Sequence, residues 1–329
     1  MKKILLVLLI ASLSALISCD ENVNPKADSK EKYIFYCIIN SDTTFQTAYL
    51  SRTYNVSGSN PLENTTDPSI TKARIVVYYQ DQEYLFADST VDRTDTSRYK
   101  NSFNFYYNNK LKIVSKYIRD VPYSCSVKVT FPHMTLSSKI ETIPTGDLFI
   151  NQNSYDFPGP ENYEFSWNFS SSINIIRKYY FLPVLEINYS KMENGVEVRK
   201  KALIPNKTYY VNNKEMPAYP KISNVPAVDY RKQYIIDAFK NISMGDENKK
   251  NYIIHNLEFS VIIMEKNLAA YYASGSTFND ELSLRIGAAE YSNINGGYGV
   301  FGLYAVKKKY ISLFESFIVG LGYRYEPKL

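Results

Sequence analysis

Tyr123, Cys125, Val127, Val129 and Phe131 alternate with Ser124, Ser126, Lys128 and Thr130. A strict two-residue period places the first set on one face of an extended strand and the second on the other, a sorting that no helix achieves. One face is apolar and the other polar, so the segment reads as a strand with one side buried and one wet. The same period runs through YIFYCIIN (Tyr33–Asn40), which is apolar on both faces as a central strand would be, and through FQTAYLSRTY (45–54), its expected partner. ARIVVYY (73–79) and EYLFA (83–87), separated by the three polar residues 80–82, predict a hairpin. FNFYY (103–107) continues the series. Many short strands with turn signals between them predict a sandwich.

The pattern breaks on a proline and a glycine at IPTGD (143–147), and turn residues continue to Pro160. A domain boundary is placed there, giving an N-terminal β-sandwich over 33–143 and a second unit over 147–329. In the second unit Tyr163, Phe165, Trp167 and Phe169 alternate, followed by the long tyrosine-rich run YYFLPVLEINYS (179–190). A buried tryptophan on an early strand ahead of such a run looks like a fibronectin-type sandwich. Tyr230, Tyr234, Ile235, Ala238, Phe239 and Ile242 recur at helical spacing, predicting one amphipathic helix over 228–242. A strand through Leu257, Phe259, Val261 and Ile263 and a second short helix over 268–272 follow, and strands return around the glycine-rich NINGGYGVFG (293–302). The expectation is a mostly β chain of two immunoglobulin- or fibronectin-type sandwich domains, with one or two short helices in the second.

The first residues carry a different signal. Met1, Lys2 and Lys3 make a cationic start, and residues 4–17 are apolar except for Ser12 and Ser14. That is the pattern of a secretory leader, shorter than the roughly 20 apolar residues a bilayer-spanning helix needs. LISC (16–19) resembles a lipobox, which implies cleavage after residue 18 and a diacylglycerol on the Cys19 thiol. Residues 19–32 are polar and without aromatics, the composition of a flexible tether. The acidic pair Asp20 and Glu21 is similar to surface-export signals of Bacteroidota lipoproteins, while an aspartate at that place marks inner-membrane retention in other bacteria. Lipid attachment makes the membrane itself the first partner. Export also places Cys37 and Cys125, the only other cysteines, in an oxidising compartment, where the two expectations are a disulfide between them or a pair of buried thiols.

Charge and chemistry narrow the function. Two of the 38 basic residues leave with the leader, and 36 against 33 acidic ones is a formal charge of +3, too mild for a nucleic-acid footprint. The longest basic run, 307–309, reads as a solvated strand end. Only His133 and His255 are present, outside any HExxH or CxxC spacing, and no GxSxG elbow occurs, so neither a metal site nor an activated nucleophile is expected. His255 reads as a hydrogen-bonded core histidine. The glycines of 296–302 lack the lysine, hydroxyl and following helix of a phosphate cradle and read as a turn. Asp88, Asp92 and Asp95 lack EF-hand spacing and read as a solvated loop. No cofactor is implied. The 31 tyrosines, against 17 phenylalanines and one tryptophan, suit a half-buried sheet surface and equally a face that binds sugars or peptides; base composition of an AT-rich genome explains them as well.

The lipobox together with EKYIFYCIIN, YLSRTYNV, FNFYY and NINGGYGVFG resembles a family of uncharacterised outer-membrane lipoproteins of Bacteroidota that carry a domain of unknown function. The resemblance covers nearly the whole mature chain and implies an outer-membrane location, on the periplasmic or cell-surface face, near starch-utilisation-type TonB-dependent transporters. It transfers no catalytic residue. The reading is therefore a lipid-anchored, non-catalytic binding or accessory protein of an uptake system, with a glycan or peptide as ligand. A structural or adhesive surface lipoprotein is the alternative, and a glycan or ester hydrolase the third. The long polar loops 55–72 and 87–102 supply the expected contact surface, rimmed by Tyr54, Arg93, Arg98 and Tyr99.

Overall fold

The computed structural model describes residues 31–53, 67–97, 99, 101–113, 123–144, 148–153, 156–169, 176–274 and 291–327. Cys19, the leader, Tyr54 and Arg98 lie outside them. The chain is mostly β. In order it forms β1 (Tyr33–Asn40), β2 (Gln46–Arg52), β3 (Arg74–Tyr79), β4 (Gln82–Val91), β5 (Phe103–Asn108), β6 (Ser124–Phe131) and β7 (Met134–Glu141). There follow β8 (Leu148–Gln152), β9 (Asp156–Phe157), β10 (Asn162–Phe169), β11 (Tyr180–Glu193), β12 (Val196–Leu203), β13 (Lys207–Val211), β14 (Lys214–Ala218), β15 (Ala227–Arg231) and helix α1 (Lys232–Asn241). The chain then runs through β16 (Tyr252–Met264), α2 (Lys266–Ala273), β17 (Tyr298–Leu313), α3 (Glu315–Gly320) and β18 (Arg324–Tyr325).

Among the described residues one sheet of 13 strands dominates, its path running β12-β11-β16-β17-β1-β2-β5-β4-β3-β6-β7. β1 is central, as its two apolar faces require. It pairs antiparallel with β2 and in parallel with β17, so the strands ahead of residue 143 and those after 147 share hydrogen bonds. The parallel register demands close backbone approach, which glycine permits. Gly299 sits at φ +108, and a Cβ there would fall 2.0 Å from the Phe35 carbonyl oxygen. The glycine-rich segment therefore serves this junction, and not only a turn.

The seven N-terminal strands wrap back on themselves. Ser137 of β7 bridges Asn295, just ahead of β17, with hydrogen bonds of 3.2 and 2.8 Å. Phe35, Cys37, Ile39, Leu50, Ile75, Val77, Cys125, Val127 and Val129 face the enclosed core and are nearly or fully buried. Each large side chain so buried contributes roughly 1.5–3 kcal/mol. The β3–β4 hairpin closes through Gln80 and Asp81, both at positive φ, so its loop has two residues where three were expected.

In the second half, sheet β15-β10-β8 lies across β11 and β16 as the other layer of a sandwich. Phe165 stacks on Phe259 at 4.0 Å and Trp167 meets Phe181 edge-on at 5.4 Å, so the tryptophan is buried as its strand period requires. The helix expected over 228–242 starts later: residues 227–231 are β15, with Val228 opposite Phe165 and Tyr230 opposite Tyr163. Val228 and Tyr230 satisfy a period of two as well as a helical one, and pairing to β10 decides between them. α2 stands where a second short helix is expected, and α3 is a third, beyond the one or two foreseen. Lys307–Lys309 lie within β17, not at its end: Lys308 Nζ donates to Glu258 at 2.6 Å and Lys309 to the Ile150 carbonyl at 3.3 Å.

Candidate functional site: an aromatic groove

Period two gives the central strands a second apolar face. Behind Phe35, Cys37 and Ile39 stand Ile34, Tyr36 and Ile38, and behind Phe301, Leu303 and Ala305 stand Val300, Tyr304 and Val306. Such a face is costly to leave in water. α2 covers part of it, with Leu268, Tyr271 and Tyr272 one helical turn apart and all buried. Its seat is shaped by Gly302, where a Cβ would lie 2.9 Å from the Leu268 Cβ. The Glu265 carboxylate caps α2, accepting from the Leu268 and Asn267 amides at 2.7 and 2.8 Å.

Past the end of α2 the face is open among the described residues. A groove of about 470 Å³ lies there, floored by Tyr36, Ile38, Thr47 and Tyr49 of β1 and β2, and walled by Phe103 and Phe105 of β5, Val91, Phe45, Tyr304 and, from α2, Tyr272. The rings run on in a series: Tyr49 to Phe103 at 5.2 Å, Phe103 to Phe105 at 6.3 Å, Phe105 to Tyr107 at 6.5 Å and Tyr107 to Phe45 at 5.9 Å. Phe45 is 51% exposed. Among the described residues no charged side chain lines the groove, and the polar side chains that do are tyrosines and Thr47. Burial pushes the Tyr49 phenol up to about 12 and raises those of Tyr36 and Tyr304 as well, so all three stay protonated hydroxyls at neutral pH.

Two of the residues expected to make surface contacts are described, and they are brought together at this groove's edge. Arg93 lies 5.2 Å from the Phe103 ring centre and 5.1 Å from that of Tyr99. Its Nη2 pairs with Asp67 at 2.5 Å and its Nε donates to the Asn101 carbonyl at 2.9 Å. The Arg93 side chain is only 19% exposed and that of Asp67 7%. Arg93 thus staples the stretch at 67 to the loop ahead of β5. Phe45, Phe103, Phe105 and Tyr272 were missed as site residues: on a strand an outward aromatic such as Phe103 or Phe105 has the same period as an inward one, and Phe45 and Tyr272 lie off the strands.

Cys37 and Cys125 are free, buried thiols with no disulfide between them. Burial pushes the Cys37 thiol up to about 12 and raises that of Cys125, which also feels Cys37. His255 is 4% exposed, with Nε2 2.7 Å from Ser190 Oγ and Nδ1 2.8 Å from the Glu326 carbonyl, a core histidine. His133 is exposed, in the left-handed region (φ 63) of the β6–β7 turn after Pro132. Asp88, Asp92 and Asp95 each accept locally, from the Lys72 amide, the Ser102 hydroxyl and the Ser97 amide. No protein-family model matches the chain, and no curated protein matches it.

Proposed function

We propose that this chain is a lipid-anchored binding protein that acts by recognition, without covalent chemistry of its own, as an accessory to a TonB-dependent outer-membrane uptake system. The observation that carries the binding half is the aromatic groove. It has the size of a small-molecule site, an apolar floor and a few fixed hydroxyls, which is how such sites combine affinity with orientation. A charged ligand would give up hydration there with no opposite charge among the described lining residues to meet, so the ligand is uncharged over the part that enters. A saccharide ring combines an apolar face with hydroxyls and fits first. Support for the address comes from the leader, Cys19 and the lipoprotein resemblance.

Calorimetry of the mature chain against neutral oligosaccharides and neutral apolar peptides tests the groove. Saccharide binding that is lost in Phe105→Ala is expected; peptide binding lost in the same variant would move the ligand class. Binding untouched by Phe105→Ala, or none in either panel, overturns the site. Co-purification of a barrel transporter from detergent extracts, and a matching growth defect when either gene is deleted, test the accessory role. Normal uptake in the deletion strain would favour an adhesive surface protein.

A further inference from the structure

A second cavity, of about 450 Å³, opens between β12, the β13–β14 hairpin and α1, and it shares no lining residue with the aromatic groove. Its construction is local. Tyr234, Asp237, Ala238 and Asn241 are spaced three and four apart, so one face of α1 lines it while Ile235 and Phe239, on the opposite face, are buried in the core. The hairpin turns tightly on Asn212 and Asn213, both at positive φ, and brings Thr208, Glu215 and Pro217 to the other wall. The Tyr234 hydroxyl lies 3.4 Å from Thr208 Oγ1, across the two walls.

Three rings from three parts of the chain, Tyr189, Tyr219 and Tyr234, line the cavity with two carboxylates, Glu215 and Asp237, and among the described residues no lysine, arginine or histidine lines it. Asp237 accepts from Gln233 at 2.8 Å and lies 3.9 Å from Lys240 on its own helix, whose side chain is 55% exposed. Lys200, near Tyr189, is paired with Glu193. Glu215 is exposed, and its carboxylate has no donor or cation among the described residues. Ring faces and carboxylates both present negative potential, and both attract a cation that is shed of part of its water. An anion would meet two like charges, and a neutral apolar group would strip water from carboxylates without replacing it.

We infer that this cavity binds an organic cation, an ammonium or guanidinium on a short apolar stem, seated between the tyrosine rings and the Glu215 and Asp237 carboxylates. The site is independent of the groove. Its test is a titration of the mature chain with Nα-acetyl-lysine methylamide, the neutral norleucine counterpart and n-butylamine, read by calorimetry or NMR shifts. The lysine probe binds at least tenfold tighter than the norleucine one. Butylamine as tight as the lysine probe assigns a free amine, and weaker binding assigns a basic side chain of a peptide. Glu215→Gln lowers the preference severalfold, the double change with Asp237→Asn removes it, and Phe45→Ala in the groove leaves it unchanged. The Glu215→Gln result stands alone should the double variant fail to fold, because that carboxylate holds no described partner. Equal affinity for the lysine and norleucine probes, a preference left undiminished by Glu215→Gln, or no binding at tens of millimolar overturns the inference.

Discussion

His255 Nδ1 lies 2.8 Å from the backbone carbonyl of Glu326, a group that can only accept, so the neutral ring carries its proton on Nδ1. Nε2 is then an acceptor, 2.7 Å from the Ser190 hydroxyl. That hydroxyl has one proton and two claimants, since Glu197 Oε1 is also 2.7 Å away. Ser190→Ala leaves a buried ring nitrogen without its hydrogen-bond partner and is expected to cost about 1–3 kcal/mol. Denaturant titration of the variant measures the loss, and nitrogen chemical shifts of His255 read the tautomer. A neutral ring protonated at Nε2 would contradict the assignment.

Glu265 supplies a pH dependence. It is 2% exposed, and burial pushes its carboxyl from 4.5 up to about 7 despite three donors, the Asn267 and Leu268 amides and the Asn267 side chain. Between those values the folded chain binds more protons than the unfolded one, so its stability contribution is full below pH 4.5 and is lost as pH rises through 7. The loss is on the order of 3 kcal/mol at the upper limit. Glu265→Gln keeps a capping oxygen and no charge, so it should flatten this part of the profile. Denaturation midpoints at pH 5, 6, 7 and 8, compared between the two proteins, decide it; parallel profiles would refute the assignment.

Several strands were legible in the sequence where one face was wet, although β7, with Leu136, Ser138 and Ile140 inward, was not read. β6 shows its alternation plainly, and β1 announces a central place by being apolar on both sides. Its partner on the far side was not legible: pairing to β17 joins residues some 260 apart, and local period carries no information about distant register. β12 to β14 were missed for another reason, since their residues are largely exposed and present no apolar period to read. Arg93 was singled out for surface contact, and the sequence did not show that Asp67 and Phe103 also hold it. The groove was hidden because Tyr36 and Tyr49 read as core residues; among the described residues their sheet face is uncovered where α2 ends.

Cys37 and Cys125 face one core from β1 and β6, and the structure leaves them as thiols. The thiolate is the reactive form, and burial suppresses it at both positions, to about 12 for Cys37. In a chain lacking the leader and Cys19, the folded protein is expected to resist iodoacetamide at pH 8. Two thiols should then appear in denaturant without reductant. Mass spectrometry counts the adducts, and a denatured protein with none would reveal a disulfide.

The groove predicts a separation of affinity from stability. Phe45 is 51% exposed, stands ahead of β2 and touches Tyr107 at 5.9 Å, so Phe45→Ala removes a wall of the groove while losing only a part-buried ring. The stability cost is expected to stay near 1 kcal/mol, well under the 3–5 kcal/mol typical of a fully buried phenylalanine. Leu85 offers the control: it is 57% exposed on β4 and does not line the groove, so Leu85→Ala should change stability comparably and affinity not at all. A ring lost from the site should weaken the saccharide by about tenfold, or 1.4 kcal/mol. Thermal melts and calorimetry on the two variants measure both quantities. Equal affinities in Phe45→Ala and Leu85→Ala would mean that the ligand does not touch this wall, and the aromatic series would then belong to the packing of β5 against β2 alone.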